Sequence, residues 1–254
     1  QNFLIDANLA RKLVEASGVG AGDLVLEIGP GAGALTETLV EMGCRVVASE
    51  MDRGLCGLLR ERLGERITLV EGDCLAGKHE LNPEILRALG DEPFRLVANL
   101  PYNAATPVMT LLLLEQPRCS GMYVTIQKEV ADRLGAAPGG KDYGPLSVIA
   151  QAFATVRRIA VAPPECFWPR PQVTSAMVAV ERRARALTDD PRALEAVVGR
   201  AFQQRRKQLG SSLGKDFPWP EGVAPTQRPE ELSPEQFAAM AGAMRSAGLV
   251  DRAP

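Results

Sequence analysis

Short runs of β-branched and aliphatic residues alternate with helical patterns through the first two-thirds of the chain, and this alternation constrains the fold more than any other feature. Leu24 to Ile28, Val46 to Ser49, Ile67 to Val70, Phe94 to Ala98 and Met122 to Ile126 read as strands. Between them Leu35 and Leu39 share one helical face, as do Leu55, Leu58, Leu59 and Leu63, which is the spacing of helices laid on a sheet. Strands separated by helices are too far apart in sequence to pair as hairpins, so they imply a parallel, doubly wound α/β sheet. Further on, Val156 to Val161 and Val173 to Val180 flank a Pro-rich turn from Pro163 to Pro171 and fit a closing hairpin at the sheet edge. From about Thr188 the β-branched runs stop. Leu194, Val198, Phe202, Leu209 and Leu213 then fall near helical spacing, and a second helix is expected from Pro234 to Ala247. The expected organisation is a cofactor-binding and catalytic α/β domain over residues 1–186 and a small helical domain over 187–254.

Glu27-Ile28-Gly29-Pro30-Gly31-Ala32-Gly33 follows a strand and opens a helix, where a tight turn must bring backbone close to a nucleotide-like ligand. Glu50 ends the next strand, where a carboxylate can accept from ribose hydroxyls, and Asp73 ends the third, where it can accept from an adenine amino group. Three successive strand ends thus point polar groups at one crevice. With Ala34 at its last position the loop also fits a dinucleotide fingerprint, so NAD or FAD stays open on the loop alone, as does a bare strand-to-helix turn.

The fourth strand runs straight into Asn99-Leu100-Pro101-Tyr102. The exocyclic N6 amine of adenine is a poor nucleophile because its lone pair is delocalised into the ring. Acceptors aimed at its two hydrogens favour the more tetrahedral nitrogen that transfer requires. The Asn99 side-chain oxygen can take one N–H, and the backbone carbonyl of Leu100, held by the restricted geometry before Pro101, can take the other. Tyr102 can stack on the base. A β-turn of ordinary chemistry is the competing reading of these residues.

With 24% charged residues and a formal net charge of −2, the chain has no uniformly basic coat, yet a local patch is present. From Arg182 to Lys215 nine basic residues face three acidic ones, a balance of +6. Arg205-Arg206-Lys207, between Phe202 and Leu209 on an expected helix, suits phosphate contacts, or else forms a solvated helix face. Cys44, Cys56, Cys74, Cys119 and Cys166 lie far apart without a CxxC pair and His79 is the only histidine, so neither a metal site nor a disulfide framework is expected. The longest apolar run, Val108 to Leu114, is far short of a membrane span. A cytoplasmic monomer that touches no membrane is expected.

Together these residues resemble the ribosomal RNA adenine N6-dimethyltransferases, the dimethyladenosine transferase family of the small ribosomal subunit. Gln1-Asn2-Phe3-Leu4 is similar to that family's N-terminal cofactor motif. Gln127-Lys128-Glu129-Val130 and Tyr143-Gly144-Pro145-Leu146-Ser147-Val148 match its central segments, and Phe167, Pro169, Pro171, Val173 and Ser175 match its proline-rich motif. The resemblance implies a Rossmann-like S-adenosylmethionine-dependent methyltransferase sheet with a small C-terminal helical domain. It places cofactor contacts at Asn2, Leu4 (through its backbone), Gly29, Gly31, Glu50, Asp73 and Asn99, catalysis at Asn99 to Tyr102, and a second stacking surface at Phe167. It places RNA contacts at Arg205, Arg206 and Lys207. The implied reaction methylates N6 of two adjacent adenosines near the 3' end of small-subunit RNA, each twice, on an assembly intermediate of that subunit. The chain departs from a regular pattern after Asp216, where Pro218, Trp219, Pro220 and Pro225 interrupt any helix. Alternatives left open are a large-subunit methyltransferase of the macrolide-resistance type, a nucleotide-dependent dehydrogenase, and a binding-only ribosome assembly factor.

Overall fold

The computed structural model describes residues 2–77 and 80–249, so Gln1 of the N-terminal motif and His79 lie outside the described residues. A short strand β1 (Phe3–Leu4) leads into α1 (Ala7–Ser17), whose start is fixed by Asp6 accepting from the N–H groups of Asn8 and Leu9 at 2.9 and 3.1 Å. Then β2 (Leu24–Ile28), α2 (Ala34–Glu41), β3 (Arg45–Glu50), α3 (Arg53–Leu63) and β4 (Ile67–Glu71) alternate as expected. A small ribbon, β5 (Leu75–Gly77) with β6 (Glu80–Leu81), precedes α4 (Pro83–Leu89), β7 (Phe94–Asn99), α5 (Tyr102–Glu115), β8 (Cys119–Gln127) and α6 (Lys128–Leu134). After α7 (Pro145–Phe153) come β9 (Ala154–Ala162), β10 (Phe167–Trp168) and β11 (Ser175–Arg182), and the chain ends in α8 (Pro191–Phe202), α9 (Leu209–Leu213) and α10 (Pro234–Ser246).

Seven strands form one sheet in the order β4-β3-β2-β7-β8-β11-β9. The pairs β2 with β3, β3 with β4, β2 with β7 and β7 with β8 are parallel, and β8 with β11 is antiparallel. The expected edge pair is present as β11 beside β9. Both faces of the central strands are covered. Val25, Val46, Ala48, Val97, Tyr123, Met177 and Ala179 pack with Leu13, Val14, Leu35 and Leu39 of α1 and α2 on one side. Their strand neighbours Leu26, Val47, Leu96 and Val124 are as deeply buried on the other, which is why these strands read as continuous apolar runs. Leu58 departs from its expected face: α3 buries Cys56, Leu59 and Leu63, and Leu58 is 36% exposed.

The chain runs outward from β2 to β4, then returns to lay β7 against the other side of β2. Strand order therefore reverses between β2 and β7, and a crevice opens at their carboxyl ends.

The described chain divides into two compact units. One holds the described residues up to 112 together with 116–131 and 157–181, and the other holds 113–115, 132–156 and the described residues from 182 on. This grouping draws residues 132–156 to the C-terminal helices, which a division between 186 and 187 does not. Within the second unit Phe202 stacks on Phe237 with centroids 5.6 Å apart, and the Tyr143 hydroxyl donates to the Leu232 carbonyl at 2.7 Å.

Candidate active site

β2 delivers the glycine loop to the crevice. Gly29, Gly31 and Gly33 have φ of +69°, +60° and +90°, a region open to glycine at little cost. Two of them are also closely approached. A Cβ on Gly29 would stand 3.0 Å from Pro101 Cγ, and one on Gly31 would stand 2.5 Å from Phe3 Cδ1. The loop is thus the surface against which the tetrapeptide and the N-terminal segment are seated.

A cleft lies there, lined by Asn2, Phe3, Leu4, Glu27, Gly29, Pro30, Ala32, Ala34, Leu35, Asn99, Leu100 and Pro101. The structure brings Asn2, Leu4, Gly29, Asn99, Leu100 and Pro101 together as the sequence reading expected; Gly31, Glu50, Asp73, Tyr102 and Phe167 are not part of this lining.

At the end of β7 the Asn99 side-chain N–H donates to the Asn2 carbonyl at 2.9 Å. That carbonyl can only accept, so the amide nitrogen must face it, and Oδ1 is left as the acceptor. Leu100 donates its N–H to the Thr125 carbonyl at 3.1 Å and buries its side chain. Pro101, at φ −55° and ψ 132°, turns the chain into α5, whose first residue is Tyr102. The Tyr102 hydroxyl meets Ser175 Oγ at 2.8 Å, and Ser175 is fully buried. One ring orientation is thereby favoured.

Glu50 is 2% exposed at the end of β3. Its Oε2 accepts from the Gly31 N–H at 3.1 Å, and Oε1 accepts from the N–H groups of Met51 and Asp52, both at 2.9 Å. A carboxylate offers about four lone-pair positions, so three are engaged and one on Oε2 remains for a ligand hydroxyl. Asp73 stands two residues past β4, exposed, with Oδ1 accepting from the Leu75 N–H at 2.9 Å.

Phe167 and the basic triplet sit in surroundings that the sequence did not reveal. Phe167 is 3% exposed and belongs to the core with Leu4, Leu13 and Met177, so its ring packs, and stacking on a base would require that ring to be bared. Arg205, Arg206 and Lys207 lie on the turn between α8 and α9, not on a helix. Polar Gln203, Gln204 and Gln208 interrupt the apolar stripe there. Arg205 is engaged within its own unit, donating to Glu230 Oε2 and to the Lys141 carbonyl at 2.8 Å each, and to the Gly140 carbonyl at 3.1 Å. Arg206 and Lys207 are exposed.

The sequence reading took Glu27 only as the opening of the loop. Glu27 is 1% exposed, lines the cleft, and its Oε2 has no hydrogen-bond partner. Burial, chiefly, and the nearby Glu50 charge push its carboxyl from 4.5 up to about 8, an interaction with Thr36 offsetting part of the rise. The signal in the sequence was an acid in the middle of an apolar strand, between Leu26 and Ile28. An orphaned buried carboxyl oxygen beside glycines closely approached by Phe3 and Pro101 fits a nucleoside ligand bearing an ammonium group. Among the described residues no three His, Cys, Asp or Glu side chains converge on a metal position, and no helix is long and apolar enough to cross a membrane.

A glycine loop and an Asn-Leu-Pro-Tyr corner at the switch point of a parallel sheet define a Rossmann-like, S-adenosylmethionine-dependent methyltransferase. The model of the family described as ribosomal RNA adenine dimethylase matches residues 1–244, and the chain belongs to that family. Ribosomal RNA small subunit methyltransferase A of Leifsonia xyli subsp. xyli is 40% identical over 263 aligned positions, covering 95% of this chain and 89% of that protein. Its counterpart in Magnetococcus marinus is 43% identical over 251 positions, covering 95% and 88%. Among solved structures, the 23S rRNA methyltransferase ErmE is similar with a TM-score of 0.71 at 26% identity, covering 96% of this chain and 99% of that one. A dimethyladenosine transferase from Plasmodium falciparum shares the fold, with a TM-score of 0.79 at 19% identity over 97% and 98% of the two chains. The chain is accordingly an rRNA adenine dimethyltransferase that uses S-adenosylmethionine.

Proposed function

We propose that the cleft presents N6 of each of two adjacent adenosines near the 3' end of small-subunit rRNA to S-adenosylmethionine, on an assembly intermediate of that subunit in the cytoplasm, with the protein acting as a monomer. The observation that carries the reading is the Asn99 amide, whose nitrogen is engaged by the Asn2 carbonyl so that Oδ1 is the atom left to accept an amine hydrogen. The Leu100 carbonyl, preceding Pro101, takes the second hydrogen, and the Tyr102 ring supports the base. The cofactor, when bound, supplies a methyl group on a sulfonium leaving group. Asn2, Leu4, Gly29, Gly31, Glu50, Asp73 and Glu27 hold it, with Glu50 accepting a ribose hydroxyl and Glu27 facing the ammonium group. Among the described residues lining the cleft, Glu27 is the one ionisable side chain, and the chain works by positioning and by aimed acceptors.

The names of the curated relatives support the small subunit as substrate. The exposed Arg206 and Lys207 support phosphate contacts from residues 187–254. Nucleosides from immature small and large subunits incubated with the protein and labelled cofactor should contain labelled N6,N6-dimethyladenosine from the small subunit only. Label confined to the large subunit rejects the assignment. Asn99→Ala should abolish transfer and leave S-adenosylhomocysteine affinity within a few-fold; normal turnover by that variant rejects the role given to Asn99.

A further inference from the structure

β1 and β10 form a two-stranded antiparallel ribbon in which Phe3 stands opposite Trp168 and Leu4 opposite Phe167. Side chains alternate across a strand, so each opposed pair shares a face. Leu4 and Phe167, 6% and 3% exposed, face the core. Phe3 and Trp168 therefore face the other way. Phe3 lines the cleft and stacks its ring over Gly31. Trp168, beside it, is 65% exposed, and every other aromatic ring among the described residues is buried or half-buried. Ile5, which continues β1 and donates its N–H to the Cys166 carbonyl at 2.9 Å, is 60% exposed.

An indole held at the rim of a cleft that takes a flat base has a specific use. An enzyme that modifies a base must take it out of its stack, and the neighbouring nucleotide then loses a stacking partner. An exposed aromatic face replaces that partner for any base, because every base presents a π-face. We propose that Trp168 is the stacking platform for the nucleotide adjoining the target adenosine. The proposal rests on the reading that the cleft receives an adenine of RNA. Trp168 reaches the strand outside the cleft, so it contributes to RNA affinity and to holding the splayed conformation, and leaves cofactor binding untouched.

The chain has two tryptophans, and Trp219 packs against Phe217 with centroids 4.9 Å apart. A W219F protein therefore reports on Trp168 alone. Titration with a single-stranded RNA carrying two adjacent adenosines should quench its emission, and the same RNA with abasic sites flanking the adenosines should quench it much less. With immature small subunits as substrate, W168A should raise KM by about 5- to 150-fold, the range expected for one base–aromatic stack, at unchanged kcat and unchanged S-adenosylhomocysteine affinity. W168F should recover most of the loss, which a folding defect would not allow. Equal quenching by intact and abasic RNA, or an unchanged KM in W168A, overturns the proposal. So does a W168A protein whose only change is altered self-association in sedimentation, since the face would then belong to a second copy. A wild-type protein that methylates no RNA removes the underlying reading and the proposal with it, whereas an active wild type with an indifferent W168A removes the proposal alone.

Discussion

Replacing Glu27 by Gln should flatten the pH dependence of folding stability and make the protein relatively more stable at alkaline pH. In the folded chain the Glu27 carboxyl is raised from 4.5 to about 8, with burial the largest cause. The folded state consequently keeps a proton that the unfolded chain releases as pH rises past 4.5. Stability falls with pH wherever the native state binds more protons than the unfolded one. The contribution is therefore complete below pH 4.5, is lost progressively up to about pH 8, and stays lost above it. The rise from 4.5 to about 8, at about 1.4 kcal/mol per pH unit, sets a ceiling of about 5 kcal/mol on that loss. Gln fills the same space without titrating. Urea unfolding of both proteins at acid, neutral and mildly alkaline pH should show the stability difference moving in favour of E27Q by several kcal/mol across that window. A difference that does not change with pH would refute the argument. The same carboxyl provides a functional readout. A ligand ammonium beside Oε2 favours the ionised form, so S-adenosylhomocysteine binding near pH 7 should release a proton, visible by calorimetry in buffers of different ionisation enthalpy. The E27Q protein should bind more weakly and release none.

Further expectations concern the loop, the tyrosine and the basic turn. Gly29→Ala places a methyl 3.0 Å from Pro101 Cγ at a φ of +69°. It should cost about 1–2 kcal/mol of backbone strain, measured by thermal unfolding, and should lower turnover because the rigid proline ring must shift; wild-type kcat would contradict the contact. Tyr102→Phe and Ser175→Ala each break the 2.8 Å hydroxyl contact. Each should lower kcat modestly at unchanged cofactor affinity, and the two should be non-additive in a double-mutant cycle, additive losses arguing against a shared role. Replacing Arg206 and Lys207 with Gln should reduce the salt dependence of RNA binding by a log–log slope of about 1.5. Arg205→Gln should instead lower the melting temperature, since it releases Glu230 and two carbonyls; a salt slope altered by Arg205→Gln at unchanged stability would reverse that division.

The sheet was legible in the chain because its central strands are buried on both faces, so Leu24 to Ile28 reads as an apolar run broken only by Glu27, and the observed β2 has those bounds. Helix ends were less legible. Leu194 to Leu213 keeps an apolar spacing that a single helix would satisfy, but the polar stretch from Gln203 to Gln208 breaks it into α8 and α9. The tetrapeptide's position followed from its place after a strand, whereas the orientation of the Asn99 amide depends on a carbonyl 97 residues away. The contacts of Arg205 were hidden for the same reason: its partners lie 25, 64 and 65 residues distant, and a triplet of cations in sequence carries no record of them. Phe167 matched a motif, but a motif does not tell which of two adjacent aromatics turns inward, and the strand pairing of β1 with β10 decides that.

The bond from the Asn99 side chain goes to the main chain of residue 2, not to its side chain. Any amino acid at that position offers the same carbonyl, so drift in side-chain identity there leaves the amide's orientation intact, while a shift of the strand by one residue would not. The N-terminal segment is thus held to a path more strictly than to a spelling. A peptide fused or inserted ahead of Phe3 should be tolerated only so far as it leaves that carbonyl where it stands.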